Sequence, residues 1–195
     1  MSLWGSSSSD ESKPKNLTTA DKAEVYANES GWVVRAGSKL TGNGNTSATP
    51  EVLVTIVGLG TALAAASISS TQFDISEFDV SAGGTLSATV NYNEEVTVGG
   101  GSPTIVVTNS QAGGGSAATL TLTKSAATAN SITFTLVVGA AGSTISADDV
   151  LSIGAQNVAL AGGTIKDTAA ATDTNALVAI SAGAGSIAGT ITAIA

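Results

Sequence analysis

Leu86-Ser-Ala-Thr-Val-Asn-Tyr92 and Ile132-Thr-Phe-Thr-Leu-Val-Val138 decide the fold. In each, an apolar residue stands at every second position with Ser, Thr or Asn between, the period of a strand with one face in a core. Ile105 and Val107, Leu120 and Leu122, Leu151 and Ile153, Val158 and Leu160, and Leu177 to Ile180 continue the pattern. Gly-rich turns separate the runs at roughly ten-residue intervals, the spacing of a β-sandwich. Threonine on the outer face favours strand geometry and keeps the surface polar without adding charge.

Working outward, residues 72–182 are predicted to form one Greek-key sandwich of about seven strands. Residues 17–70 read differently. Thr18 stands as an N-cap with Asp21 three residues on, the spacing of a capping box, so a helix is predicted from there to about Asn28. Gly31 ends it, and Trp32-Val-Val-Arg-Ala36 follows as a short strand. Gly37 to Asn45 is turn chemistry, and Glu51-Val-Leu-Val-Thr-Ile-Val57 is a strand that Thr61 to Ile68 is expected to extend. A unit of about 55 residues without disulfides or metal is marginal alone, so it is expected to lean on a partner surface. The overall expectation is a mainly β chain: a small N-terminal α+β docking module followed by an Ig-like Greek-key sandwich. Residues 1–16 read as a polar tail, and residues 183–195 as an apolar C-terminal tail.

Composition narrows the function. Of the 195 residues, 11% are charged and 4% aromatic, and there is no His or Cys. That removes Ser-His-Asp and Cys-His nucleophiles, imidazole or thiolate metal sites and disulfides together. Through Lys39, five basic residues balance five acids; beyond it two lysines face ten acids, which accounts for the net charge of -8. Nucleic-acid binding needs clustered Lys or Arg, so none is expected. Val52 to Ala66 is too short for a bilayer span and is broken by Gly58 and Gly60, and the N-terminus has neither a basic nor an apolar signal region. No membrane contact is expected. Gly185-x-x-x-Gly189 matches a transmembrane packing pattern, but Gly, Ser and Thr dominate its surroundings and a strand or assembly surface is favoured.

Carboxylates are the remaining chemistry. Asp148, Asp149, Asp167 and Asp173 lie near turns, where Ca²⁺ takes oxygen ligands; solvated turn acids are the favoured reading, since no Asp-x-Asp-x-Asp-Gly loop exists. Glu94 and Glu95, as strand neighbours, point to opposite faces and do not share a cleft. Gly99 to Ser102 and Gly113 to Ser116 lack the Lys-Ser or Lys-Thr of a phosphate loop, and Ser12-x-x-Lys15 lacks companion motifs. No catalytic residue, metal or cofactor is assigned, and the chain is expected not to be an enzyme.

The candidate partner-binding residues are apolar. Trp4 is costly to leave in water within a Ser-rich tail. Trp32, with Val33 and Val34, is either core of the module or an anchor on a partner. Ile187 and Ile191 fit a helix with Ile194, or a strand face with Gly189 and Ala193.

Two resemblances add to this reading. Leu86 to Val98 with its Glu-x-Val-x-Val-x-Gly element, Ser102-Pro-Thr-Ile-Val-Val107, Ile132 to Leu136, and Val158 to Asp167 with Gly-Gly-Thr-Ile-Lys-Asp resemble the bacterial immunoglobulin-like repeats of large surface proteins and adhesins. The chain departs from that pattern at Thr168 to Asn175, in place of the usual small-residue, Gly, Asn turn. Met1-Ser-Leu-Trp-Gly5, Val25-Tyr-Ala-Asn28, Gly31-Trp-Val-Val34, Ala36-Gly-Ser38, Leu40 to Asn45 and Pro50-Glu-Val-Leu-Val54 resemble virion structural proteins of contractile-tailed phages of marine cyanobacteria. The resemblance implies a capsid decoration-like protein made in the host cytoplasm and placed on the outer surface of the head. Its implied partners are the major capsid protein or other virion subunits, with self-association on the particle. A neck, tail or baseplate position, and an Ig-like adhesin module for host glycans, stand as alternatives.

Overall fold

In a computed structural model, residues 13–14, 16–114, 116–140, 144–168, 174–181 and 189–195 are described. The chain is mainly β, a small N-terminal unit followed by a β-sandwich. Helix α1 (Thr19–Ala23) opens on the expected capping box: the Asp21 N–H donates to Thr18 Oγ1 at 3.2 Å, and the Asp21 carboxylate accepts from the Thr18 N–H. It ends sooner than expected. Val25–Asn28 is strand β1, paired antiparallel with β2 (Gly31–Val34) from Val25↔Val34 to Asn28↔Gly31. The reason is burial on two sides: Val25 and Ala27 face the unit's own core while Tyr26, between them, is buried on the opposite face. Period-two burial overrides the cap's helical start.

Strand β3 (Glu51–Thr55) adds to the other side of β2, with a register shift between Trp32 and Val33 that leaves Leu53 without an opposite residue. Gly31 allows this close crossing, because it sits at φ 129° and a Cβ there would lie 2.1 Å from the Val54 carbonyl oxygen. Past β3 the predicted strand extension is instead the helical turn α2 (Leu59–Ala62), started by Gly58 at φ 75°. It brings Leu59 onto Val25, Ala27, Trp32 and Val34, with Leu17, Leu40, Val54, Ile56 and Leu63 around them.

The sandwich follows as β4 (Ile68–Phe73), β5 (Glu77–Asp79), β6 (Gly84–Tyr92), β7 (Val96–Gly99), β8 (Thr104–Asn109), β9 (Thr119–Thr128), β10 (Ser131–Val138), β11 (Val150–Ser152), β12 (Gln156–Asn157), β13 (Thr164–Asp167), β14 (Thr174–Asn175), β15 (Ala179–Ile180) and β16 (Thr190–Ile194). One sheet has the order β4-β6-β10-β9-β8-β11-β16-β5; the smaller ones are β14-β13-β7 and β12-β15. Within the large sheet β8, β9 and β10 are successive neighbours and β6 lies beside β10, a Greek-key arrangement with β7 diverted to the other sheet. The alternating residues point inward as read: Leu86, Ala88, Val90, Tyr92, Ile105, Val107, Leu120, Leu122, Ile132 and Phe134 share one core with Val96, Ile165 and Ile180 of the smaller sheets.

Two predicted boundaries shift. Ile68 pairs with Tyr92, so residues 68–70 begin the large sheet rather than end the N-terminal unit. The segment predicted as a C-terminal tail, 183–195, supplies β16 from its described part. That strand lies between β11, antiparallel, and β5, parallel, and buries Ile191 and Ala193. A strand with neighbours on both sides satisfies its backbone groups, which an exposed tail does not.

Candidate assembly surface

Trp4 and Ile187 lie outside the described residues. Trp32 and Val34 fill the core of the N-terminal unit, Val33 is buried on the opposite face beside Tyr26, and Ile191 belongs to the sandwich core. Each is at most 4% exposed. In this fold these four hold structure and present no surface to a partner.

The exposed apolar surface of the unit is elsewhere. Val52 is 48%, Leu53 38% and Val57 88% exposed, on or just after β3. Among the described strands β3 pairs with β2 alone, so its far side is an open edge. Open, apolar edges are surfaces on which another chain can add a strand. Sequence reading took the whole run Glu51 to Val57 as a buried strand. Its near-continuous apolar character could not tell an exposed edge from an interior strand; the flanking turn residues and Glu51 were the only hints.

The unit joins the sandwich through polar contacts. The Ala27 N–H donates to the Asn93 carbonyl at 2.9 Å, and Asn130 Nδ2 donates to the Ala23 carbonyl at 3.1 Å. Arg35, paired with Glu24 at 3.3 Å, also donates to Ser131 Oγ at 3.3 Å. At the chain crossover the Ala66 N–H donates to Asp167 Oδ2 and the Ser67 N–H to Asn93 Oδ1. Glu94 sits in this joint, fully buried, bridged to Ala27 through the backbone. Asn93 Nδ2 donates to its Oε1 at 3.3 Å, while Oε2 finds no hydrogen-bond partner among the described residues. Burial, with Asp167 adding its negative charge, pushes the Glu94 carboxyl up to about 8, so it carries a proton at neutral pH. Glu95, half-buried, is also raised by burial. Tyr26 is pushed up to about 12 by burial and then by Glu95. The two glutamates therefore occupy different surroundings, and their juxtaposition serves the joint.

The Asp148–Asp149 pair divides likewise. Asp148 is exposed at φ 70°, whereas Asp149 is fully buried. Asp149 Oδ2 accepts from Asn109 Nδ2 at 2.8 Å and the Ser146 N–H at 2.9 Å, and Oδ1 from the Gly113 N–H at 2.9 Å. Burial works to raise its pKa, but these bonds and the Ser116 hydroxyl outweigh it and hold the carboxyl at about 2. This carboxylate ties three loops together. No group of three or more His, Cys, Asp or Glu is placed to hold a metal among the described residues, and no described helix is long and apolar enough to cross a membrane.

The fold thus defines a mainly β protein with a β-sandwich and a small edge-bearing N-terminal unit. No family model matches the chain, and neither a curated protein nor a solved structure does.

Proposed function

We propose that the chain is a non-enzymatic structural protein of a phage virion, most simply a capsid decoration protein on the exterior of the head. The N-terminal unit docks on a capsid subunit and the Ig-like sandwich is carried outward. The observation that carries this reading is the open β3 edge with Val52, Leu53 and Val57 exposed, on a unit whose other large apolar groups are internal. Strand addition there uses backbone hydrogen bonds for affinity and the apolar side chains for fit. On a symmetric lattice, modest affinity per copy is multiplied by the array, and contact with two neighbouring capsomers resists internal pressure. The resemblance of the N-terminal residues to virion proteins of contractile-tailed cyanobacterial phages, and of the sandwich to Ig-like repeats, supports the same reading.

Imaging of purified particles tests it through copy number and position. Several hundred copies on the head are expected. Six or twelve copies at the neck or tail would overturn the head assignment, and absence from particles would overturn the virion reading altogether.

A further inference from the structure

A cleft of about 580 Å³ opens where the N-terminal unit meets the sandwich. One wall is the loop from Ala36 to Pro50, and the other is the turn of the β9–β10 hairpin at Ala127 to Ala129; Tyr26 lies at its base and Glu24 and Arg35 at one side. Such a volume is ordinary for a site that takes a bulky organic group. Its walls are small side chains, which leave room rather than fill it, and Arg35 is held in place by Glu24 and Ser131. A fixed guanidinium beside an apolar cleft suits the face of an aromatic ring, above all an indole.

The N-terminal arm emerges at this cleft. Lys13, 5% exposed, donates from Nζ to the carbonyls of Lys22 at 3.0 Å and Val25 at 3.1 Å. Val25 stands between Glu24 and Tyr26, both of which line the cleft. Trp4 is nine residues before Lys13, so the chain between them spans up to about 30 Å. Crossing one flank of a three-stranded sheet takes only about 10 Å. The arm carries one large aromatic group, Trp4, next to Leu3, in otherwise polar sequence.

We infer that the cleft between the Ala36–Pro50 loop and the β9–β10 turn is the seat of the chain's own N-terminal arm, with the Trp4 indole entering beside Arg35. One wall belongs to each region, so the seated indole staples the N-terminal unit to the sandwich. The inference stands apart from the virion reading and needs no particle for its test.

Fluorine NMR of the full chain labelled with 5-fluorotryptophan reads it directly, since Trp4 and Trp32 give one resonance each and Trp4→Phe assigns them. The expected result is a Trp4 resonance displaced from that of exposed indole. Ala127→Phe obstructs the cleft at an exposed position, so it is expected to move the Trp4 resonance to the exposed value and leave the Trp32 resonance unchanged. Two results would overturn the inference: a Trp4 resonance at the exposed position in the unmodified chain, or one that Ala127→Phe does not move. A displaced resonance that returns to the exposed value on dilution would mean that a second copy supplies the indole, which also overturns seating of the chain's own arm.

Discussion

The two regions solve the problem of a small core in opposite ways. The sandwich closes: strands β4 to β16 enclose one apolar cluster, and even the last strand of the chain is placed between two others. The N-terminal unit stays open. Its cluster is five buried residues with a few partners, its sheet has three strands, and one edge of that sheet leaves Val52, Leu53 and Val57 in solvent. The sandwich scatters its exposed apolar residues, with Val106, Val137 and Leu177 on separate segments, whereas the unit gathers its own on one edge. Closure and openness thus divide the labour between carried domain and docking element.

The largest expected effect tests closure. Removing residues 189–195 takes away β16, frees β5 from its parallel neighbour and opens the core at Phe78, Leu151 and Ile191. The shortened chain is expected to lose its cooperative melt and its near-ultraviolet dichroism. Retention of both would mean that β16 is dispensable to the sandwich. Next come two truncations of equal chemistry, Phe134→Ala and Trp32→Ala, each removing a fully buried aromatic ring at a cost of about 3–5 kcal/mol. Hydrogen exchange separates them. Phe134→Ala should lower protection throughout the sandwich, while Trp32→Ala should release β1, β2 and β3 and leave β6, β9 and β10 protected. Equal loss everywhere would mean that the two regions unfold as one.

Acid and base sharpen the contrast in a different way, because each region rests on a carboxyl of opposite tendency. Asp149, inside the sandwich, has its pKa depressed. Its contribution is complete above the ordinary value of 3.8 and disappears as pH falls through about 2. Asp149→Asn, which loses charge-assisted hydrogen bonds, should cost about 1.5–3 kcal/mol at pH 7 and flatten that acid limb. Glu94, in the joint, has its pKa raised. Its contribution is complete below the ordinary value of 4.5 and is lost as pH rises through about 8. Glu94→Gln should therefore remove the decline in melting temperature between pH 5 and 9. A decline that persists in the variant would place its origin elsewhere.

How much of this was legible depended on range. Leu86, Val90, Phe134 and their neighbours declare their faces because period-two burial is a local signal, and the Thr18–Asp21 box declares itself because its partners are three residues apart. Val25 to Asn28 did not, since a true helix cap precedes a segment that long-range burial claims for a strand. β16 was hidden by its surroundings of Gly, Ser and Ala, which read equally as tail. The joint was invisible: Glu94 and Asp167 are 73 positions apart, and Asn130 reaches Ala23 across 107. Trp32, Val33 and Val34 were recognised as important, but sequence could not say whether they faced inward.

The smallest effect on the fold accompanies the largest on assembly. Leu53→Asp and Val57→Asp together, on exposed positions, should change stability by no more than about 0.5 kcal/mol each. The direct measurement is imaging of particles grown with this doubly substituted chain beside the unmodified one, with melting curves taken on both proteins. The account predicts unchanged melting and particles stripped of the protein. Full occupancy by the substituted chain would contradict docking through the β3 edge.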